Sequence, residues 1–128
     1  MNWNVTYIEN ENYVKVTAEG AFTLEGCIGM KEDFLARDFW RPGMNILIDY
    51  RLTTFSNLKL DVLRAASAFH EKVGKQIGNG RMAFLMKSLH DFGLARQYQI
   101  ITEDLVPSQL YVFLDEDKAV QWLTNADL

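Results

Sequence analysis

Two short apolar runs in the middle of the chain place the strongest limit on what it can fold into. The first run is Ile46-Leu47-Ile48, and the second is the near-continuous apolar stretch between Arg81 and Met86. Strands without polar alternation are typical of a parallel sheet that is covered on both faces. Helix-like repeats follow both runs, so the pattern predicts an α/β fold in which strands and helices alternate.

A hairpin is expected before these runs. The alternation around Val5 and Tyr7 predicts a strand, and the polar stretch 10–12 predicts a short turn into a second strand over 13–18, which makes this pair antiparallel. Further strands are predicted over 45–50, 81–86 and 110–114. The predicted order is ββαβαβαβα, a five-stranded, mostly parallel sheet with one antiparallel strand and about four helices.

Each predicted helix presents one apolar face to the sheet. The first helix has a mostly apolar stripe that contains one lysine: Leu24, Cys27, Ile28, Lys31, Phe34 and Leu35. The second helix, expected from about residue 58 to residue 73, has a second stripe: Leu58, Val62, Ala65, Ala66, Phe69 and Val73. The third helix opens at His90-Asp91, and the last one follows Asp115.

The composition is typical of a soluble globular protein, with 48% hydrophobic and 23% charged residues. A length of 128 residues indicates a single domain over 1–128. The sequence has neither an apolar run near the roughly 20 residues of a membrane span nor a secretory signal. The single cysteine excludes an internal disulfide and fits a reducing compartment, so we expect a cytoplasmic protein.

The net charge of −4 conceals an uneven distribution. Residues 1–36 carry two basic and six acidic groups, residues 37–102 carry ten basic and five acidic groups, and residues 103–128 carry one basic and six acidic groups. The overall acidity disfavours nucleic-acid binding, which needs a basic face. The basic middle fits an anionic partner or the inner face of a membrane, and a solvated mixture of charges is the favoured alternative.

The second half of the chain carries a family resemblance. Its motifs are Arg81-Met82-Ala83-Phe84-Leu85, then Phe92-Gly93-Leu94-Ala95-Arg96, and then the segment from Tyr111 to Leu123, an aromatic strand followed by an acidic cap and Ala-x-x-Trp-Leu. Together with the order of elements, these motifs resemble the STAS domain of sulfate transporters and anti-sigma factor antagonists, and its SpoIIAA-like branch in particular. The resemblance implies a fold that is related to the CRAL-TRIO lipid-exchange domains.

One motif of that family is missing. Anti-sigma factor antagonists have an Asp-Ser-Ser-Gly-Leu type motif after the third strand, and a serine in it is phosphorylated. The corresponding segment here runs from Asp49 to Asn57 and lacks the Ser-Ser-Gly element. The resemblance therefore does not carry a phosphoserine switch over to Ser56, although Thr53, Thr54 and Ser56 remain acceptor candidates.

The polar residues at the end of the third predicted strand are the first candidate site. Ligands of open α/β sheets bind beyond the carboxyl ends of the strands, and helix N-termini attract anions. The position of this segment predicts a docking site for a protein partner or a small hydrophobic or anionic ligand, formed by Asp49, Arg51, Thr53, Thr54 and Ser56. An equally weighted alternative is local structure: Ser56 or Asn57 caps the second helix, and Asp49 pairs with Arg51.

An aromatic-basic loop is the second candidate. Phe34, Phe39, Trp40 and Arg41 are expected to form a membrane contact or, with the first helix, a mobile lid over an apolar cavity. Packing of the aromatic rings on the core is the favoured alternative. A peripheral lipid-binding or lipid-exchange protein is therefore the second functional hypothesis.

The sequence offers little for catalysis. No phosphate-binding glycine loop, nucleophile elbow or metal-ligand motif is present, so no catalytic residue, metal or cofactor is expected. Cys27 is interpreted as a core residue, and His70 and His90 lack evident partners. We expect a non-enzymatic binding or regulatory module. An enzyme using His90, Asp91 or Ser56 is the least favoured hypothesis, and an exposed edge strand favours a homodimer.

Overall fold

A five-stranded sheet forms the centre of the protein in the computed structural model, which describes residues 1–56 and 58–125. The strands are β1 (Asn2–Ile8), β2 (Tyr13–Ala21), β3 (Asn45–Thr54), β4 (Arg81–Leu85) and β5 (Gln109–Phe113). The helices of the described ranges are α1 (Leu24–Leu35), α2 (Leu60–Lys72), α3 (Gly74–Ile77), α4 (Leu89–Thr102) and α5 (Glu116–Thr124).

The strands lie side by side in the order of the chain, β1-β2-β3-β4-β5. β1 and β2 are antiparallel, and the other neighbouring pairs are parallel. The predicted α/β fold and mostly parallel sheet are therefore confirmed, with the single turn of α3 as an additional helix.

The two faces of the sheet are covered unequally. Because side chains alternate along a strand, Ile46 and Ile48 of β3 lie on one face, and Leu47 lies on the other. Residues of α1, α2 and α4 pack on the first face, whereas α5 covers the second through Ala119 and Leu123. Residues that are adjacent in β3 therefore belong to two separate environments.

The end of β3 differs from the prediction. The strand continues to Thr54, so Thr53 and Thr54 belong to the sheet and not to a connector. They pair with Gly20 and Ala21 of β2 after a register shift, and the buried Thr53 hydroxyl donates to the Ala18 carbonyl over 3.0 Å. This buried hydrogen bond explains why a polar residue continues the strand.

The inward face of α2 also differs from the predicted stripe. Val62 and Phe69 are only partly buried, and Leu58 precedes the helix, which begins at Leu60. Ala66 is buried as predicted, and so is Val73 just after the helix, but the other buried residues of α2 are Leu63, Ser67 and His70. Ser67 accepts a hydrogen bond from Thr102 over 2.7 Å, and His70 Nδ1 lies 2.7 Å from the Tyr98 hydroxyl. Hydrogen bonds with these two α4 hydroxyls favour the burial of Ser67 and of the Nδ1 side of His70.

The aromatic-basic loop lies mostly against the core. Phe34 is fully buried, Trp40 is 8% exposed, and their ring centroids are 5.1 Å apart. Trp40 Nε1 donates to the Gln76 carbonyl over 2.9 Å, and Phe39 stacks on Tyr7 with centroids 5.3 Å apart. The membrane contact stays a prediction, for which the structure leaves only Arg41 and part of Phe39 at the surface. None of the described helices has the length and apolar character to cross a membrane.

The substitution Trp40→Ala should lower the free energy of unfolding by about 3–5 kcal/mol, because it opens a cavity in the core. Denaturant unfolding measures the effect, and Arg41→Ala, at an exposed position, should change it by less than about 0.5 kcal/mol. Unchanged stability in Trp40→Ala, together with lost binding to anionic vesicles, would contradict the buried placement and favour a membrane contact.

Candidate functional site

The structure divides the polar segment after Ile48 between the two faces of the sheet. Asp49 and Arg51 lie on the face of the sheet that α5 covers. There Arg51 contacts both Asp49 and Glu116. Tyr50, between them, lies on the opposite face and lines a cavity beneath α1, α2 and α4. The five predicted docking residues therefore do not form one site.

Asp49 and Arg51 belong to an ion-pair network that joins β2, β3 and α5. Arg51 binds Asp49 through two nitrogens at 3.0 and 2.8 Å and also reaches Glu116 at 2.9 Å, while Lys15 contacts Glu116 at 2.9 Å. Burial raises the pKa of Asp49, but hydrogen bonds from Arg51 outweigh burial and hold the pKa below its usual value. The predicted pairing of Asp49 with Arg51 is confirmed, and the charge-assisted hydrogen bonds of the network hold β2, β3 and α5 together.

Thr54 and Ser56 are exposed and line an open polar groove at the carboxyl ends of β3 and β4. The far side of this groove consists of residues before and at the start of α4: Lys87, Ser88, His90 and Asp91. Ser88 caps α4, since its hydroxyl accepts from the Asp91 backbone N–H over 3.2 Å. His90 Nδ1 lies 3.2 Å from the Asp91 carboxylate. Partner docking at this groove stays a prediction.

Capping of α2 by Ser56 is not what the structure shows. The residue at the N-cap position is Lys59, and among the described residues no side chain accepts a hydrogen bond there. Asn57, the other candidate cap, lies outside the described residues. The alternative local role for Ser56 is therefore wrong, because α2 begins later than the sequence pattern indicates.

Replacing each serine with alanine tests this assignment. Ser88→Ala should lower the free energy of unfolding by about 0.5–2 kcal/mol, since it removes a helix cap. Ser56→Ala should change it by less than about 0.5 kcal/mol, as is usual for an exposed side chain without a structural contact. Chemical denaturation measures both variants, and the reverse ranking would contradict the cap assignment.

The cavity on the first face of the sheet is the more distinctive site. Its volume is about 40 Å³, and its walls are mainly apolar. Residues from β3, β4 and the three covering helices form its inner part: Cys27, Lys31, Tyr50, Ala66, Phe84, Met86 and Tyr98. Partly exposed residues form its mouth, among them Phe22 and Phe55, whose ring centroids are 5.2 Å apart.

Lys31 is an unusual residue for such a cavity, because its side chain is only 1% exposed. Its Nζ lies 3.4 Å from Cys27 Sγ and 5.9 Å from the ring centroid of Tyr98. Over residues 1–56 and 58–125, no carboxylate lies within 4.0 Å of this ammonium. Burial lowers the pKa of Lys31, an anionic Cys27 or Tyr98 raises it, and the net direction is upward.

The two phenols near Lys31 do not replace a carboxylate at neutral pH. Burial, as the main cause, raises the pKa of Tyr98 to about 12, so this phenol is uncharged at pH 7. Burial also raises the pKa of Tyr50, on the sheet side of the cavity. A buried ammonium is costly without a counter-ion, and no carboxylate of residues 1–56 and 58–125 supplies one within 4.0 Å here.

A buried histidine, His70, lies next to Tyr98 of the cavity wall. His70 Nδ1 contacts the Tyr98 hydroxyl, and His70 Nε2 has no partner among the described residues. Burial, followed by repulsion from Lys31, lowers the pKa of His70 to about 3. His70 is therefore neutral at pH 7 and serves as a hydrogen-bond partner of Tyr98.

The low pKa of His70 predicts a loss of stability in mild acid. The folded-state pKa lies below the unfolded value, so the stabilisation is complete above pH 6.5 and is lost as the pH falls towards 3. Between pH 7 and pH 5 the loss should be about 2 kcal/mol. Denaturant unfolding of His70→Gln should lack this loss, whereas His90→Gln should retain it. Equal pH dependence in both variants would contradict the buried, neutral His70.

Sequence reasoning missed the charged part of the cavity. Lys31 stands within the apolar stripe of α1, four residues after Cys27, and this position was the available signal. Tyr50 was not singled out, because it lies between the two charged residues of the predicted docking segment. Within the described residues, no three His, Cys, Asp or Glu side chains come close enough to hold a metal ion.

The element order and the sheet define a SpoIIAA-like α/β fold. A similar solved structure is that of an uncharacterised protein of the DUF3478 family with a SpoIIAA-like fold from Shewanella loihica PV-4. It is 22% identical in sequence, the TM-score is 0.61, and the match covers 95% of this chain and 92% of that chain. A scan against protein-family models and a search of curated proteins return no match. The likeness shows the fold, as the resemblance implied, and the relation to CRAL-TRIO domains stays a prediction.

Proposed function

We propose that this protein is a non-enzymatic binding module that takes up a small, mainly apolar molecule carrying an acidic group. The observation that carries this proposal is the burial of Lys31, which lines an apolar cavity and has no carboxylate of the described residues within 4.0 Å of its Nζ. A ligand carboxylate would supply the missing counter-ion, while the apolar walls would contact the rest of the molecule. A few polar groups in a mainly apolar pocket are typical of small-molecule sites.

The size of the cavity limits the ligand. A single water needs about 10–15 Å³ of such space, so the cavity of about 40 Å³ admits a group of only a few heavy atoms. A short branched acid therefore fits the site better than a long lipid chain does. A longer ligand would require the mouth around Phe55 and Leu58 to open.

Binding of short carboxylic acids, followed by isothermal titration calorimetry, tests the proposal. The acids should bind the parent protein and their primary amides should bind much more weakly, because the amides lack the charge that pairs with Lys31. Lys31→Met should weaken acid binding about ten- to hundredfold, which corresponds to the loss of a charge-assisted hydrogen bond.

Two controls make this experiment specific. Lys75→Met removes an exposed lysine and should leave acid affinity unchanged. Ala95→Leu adds bulk at the cavity wall and should reduce binding while Lys31 remains in place. If acids and amides bind equally, or if Lys31→Met binds acids as well as the parent protein does, the proposed role of Lys31 is wrong.

A further inference from the structure

We propose that Cys27 and Lys31 form a covalent modification site, in which hydrogen peroxide joins the cysteine sulfur to the lysine nitrogen as a sulfenamide. The two residues lie one helical turn apart on the inner face of α1, and their Sγ and Nζ atoms are 3.4 Å apart. Both side chains line the same cavity. The buried Lys31 ammonium contacts the thiol, and within the described part of the chain no carboxylate lies within 4.0 Å of it.

Hydrogen peroxide is small enough to reach the pair. It is slightly larger than water, and the cavity of about 40 Å³ exceeds the 10–15 Å³ that a water needs. The mouth residues Phe22 and Phe55 are partly exposed, whereas Cys27 itself is only 4% exposed. The site therefore admits a small oxidant and disfavours bulky thiol reagents.

An internal disulfide, the usual product of cysteine oxidation, cannot form in this chain. Cys27 is the single cysteine of the chain, so its sulfenic acid has no second thiol for an internal disulfide. A sulfenic acid also condenses with nitrogen nucleophiles. The Lys31 amine is the nitrogen that already contacts the sulfur.

The reaction balances with one molecule of peroxide. The Cys27 thiol first loses its proton to solvent, and its sulfur attacks a peroxide oxygen. The S–O bond forms, the O–O bond breaks, and the departing hydroxide takes a proton from the Lys31 ammonium to become water. The resulting neutral amine attacks the sulfenic sulfur, the S–N bond forms, and the S–O bond breaks. The second hydroxide takes a proton from nitrogen and leaves as water. The thiol–amine pair is oxidised by two electrons, and peroxide is reduced by two.

The cross-link would also change the chemistry of the cavity. It converts the Lys31 ammonium into an uncharged sulfenamide nitrogen, so the cavity loses the cation that is proposed to bind an acid. This consequence, unlike the cross-link itself, rests on the proposed function. Peroxide would thereby weaken acid binding as Lys31→Met does, and a bound acid would slow the cross-linking because it occupies the same space.

Peptide mass spectrometry after peroxide treatment tests the cross-link directly. Trypsin cleaves unmodified protein after Lys31, but it should not cleave there once the lysine nitrogen is bound to sulfur and has lost its charge. We expect a peptide spanning Val16–Arg37 that has lost two hydrogen atoms relative to its unmodified mass. Dithiothreitol should reverse the change, since a thiol attacks the sulfenamide sulfur.

Variants and unfolded protein provide the controls. Lys31→Arg keeps a charge but lacks the amine, and Lys31→Met lacks both. The Cys27 peptide of neither variant should therefore lose two hydrogen atoms. Lys75→Met should behave like the parent protein. The parent protein in urea should form less cross-link, because the pair is then no longer held together. If the folded parent protein gives only the Val16–Lys31 peptide, unmodified or with added oxygen atoms, the proposal is overturned.

The assay needs no ligand, so its result is separate from that of the acid-binding experiment. A cross-link in a protein that binds no acids supports the modification site and counts against the proposed function. Acid binding without a cross-link overturns the modification site and leaves the proposed function standing. If both occur, the cross-linked protein should lose its acid affinity by the same factor as Lys31→Met.

Discussion

The central strands β2, β3 and β4 have to be covered on both faces, and the other features of the protein follow from this requirement. Their backbone groups pair with neighbouring strands, and apolar side chains such as Ile46 and Leu47 alternate between two cores. The same alternation places Asp49 and Arg51 beside α5 and Tyr50 beside the cavity. A docking segment that is continuous in sequence is therefore divided by the sheet.

The helices on the first face of the sheet bury a lysine with the apolar residues. Lys31 brings a positive charge into a cavity that Tyr50 and Tyr98 line with hydroxyl-bearing rings. An ammonium in such surroundings gains from any anion that reaches it, because electrostatic interactions strengthen where water is excluded. Its proximity to Cys27 also places a nucleophilic sulfur and a nitrogen in contact. One buried residue thus underlies both the proposed acid binding and the proposed oxidation chemistry.

The accuracy of the sequence predictions depended on how local the controlling contacts are. The antiparallel hairpin of β1 and β2 was predicted correctly, since a short turn sets its direction. The end of β3 was placed too early, because the hydrogen bond from Thr53 to Ala18 joins residues far apart in the chain. The inward face of α2 was misjudged in part for the same reason: Ser67 and His70 Nδ1 form hydrogen bonds with Thr102 and Tyr98 of α4.

The sequence by itself determined the α/β class, the strand positions and the mainly parallel sheet, because hydrophobic periodicity and turn residues act over a few residues. It also placed Lys31 in the apolar stripe of α1, but a lysine there often extends its ammonium into water. Only the tertiary structure decided that this ammonium is buried beside Cys27 and Tyr98. The physical reason is that burial of a flexible side chain depends on which elements close over it, and α2, α4 and β3 come from distant parts of the chain.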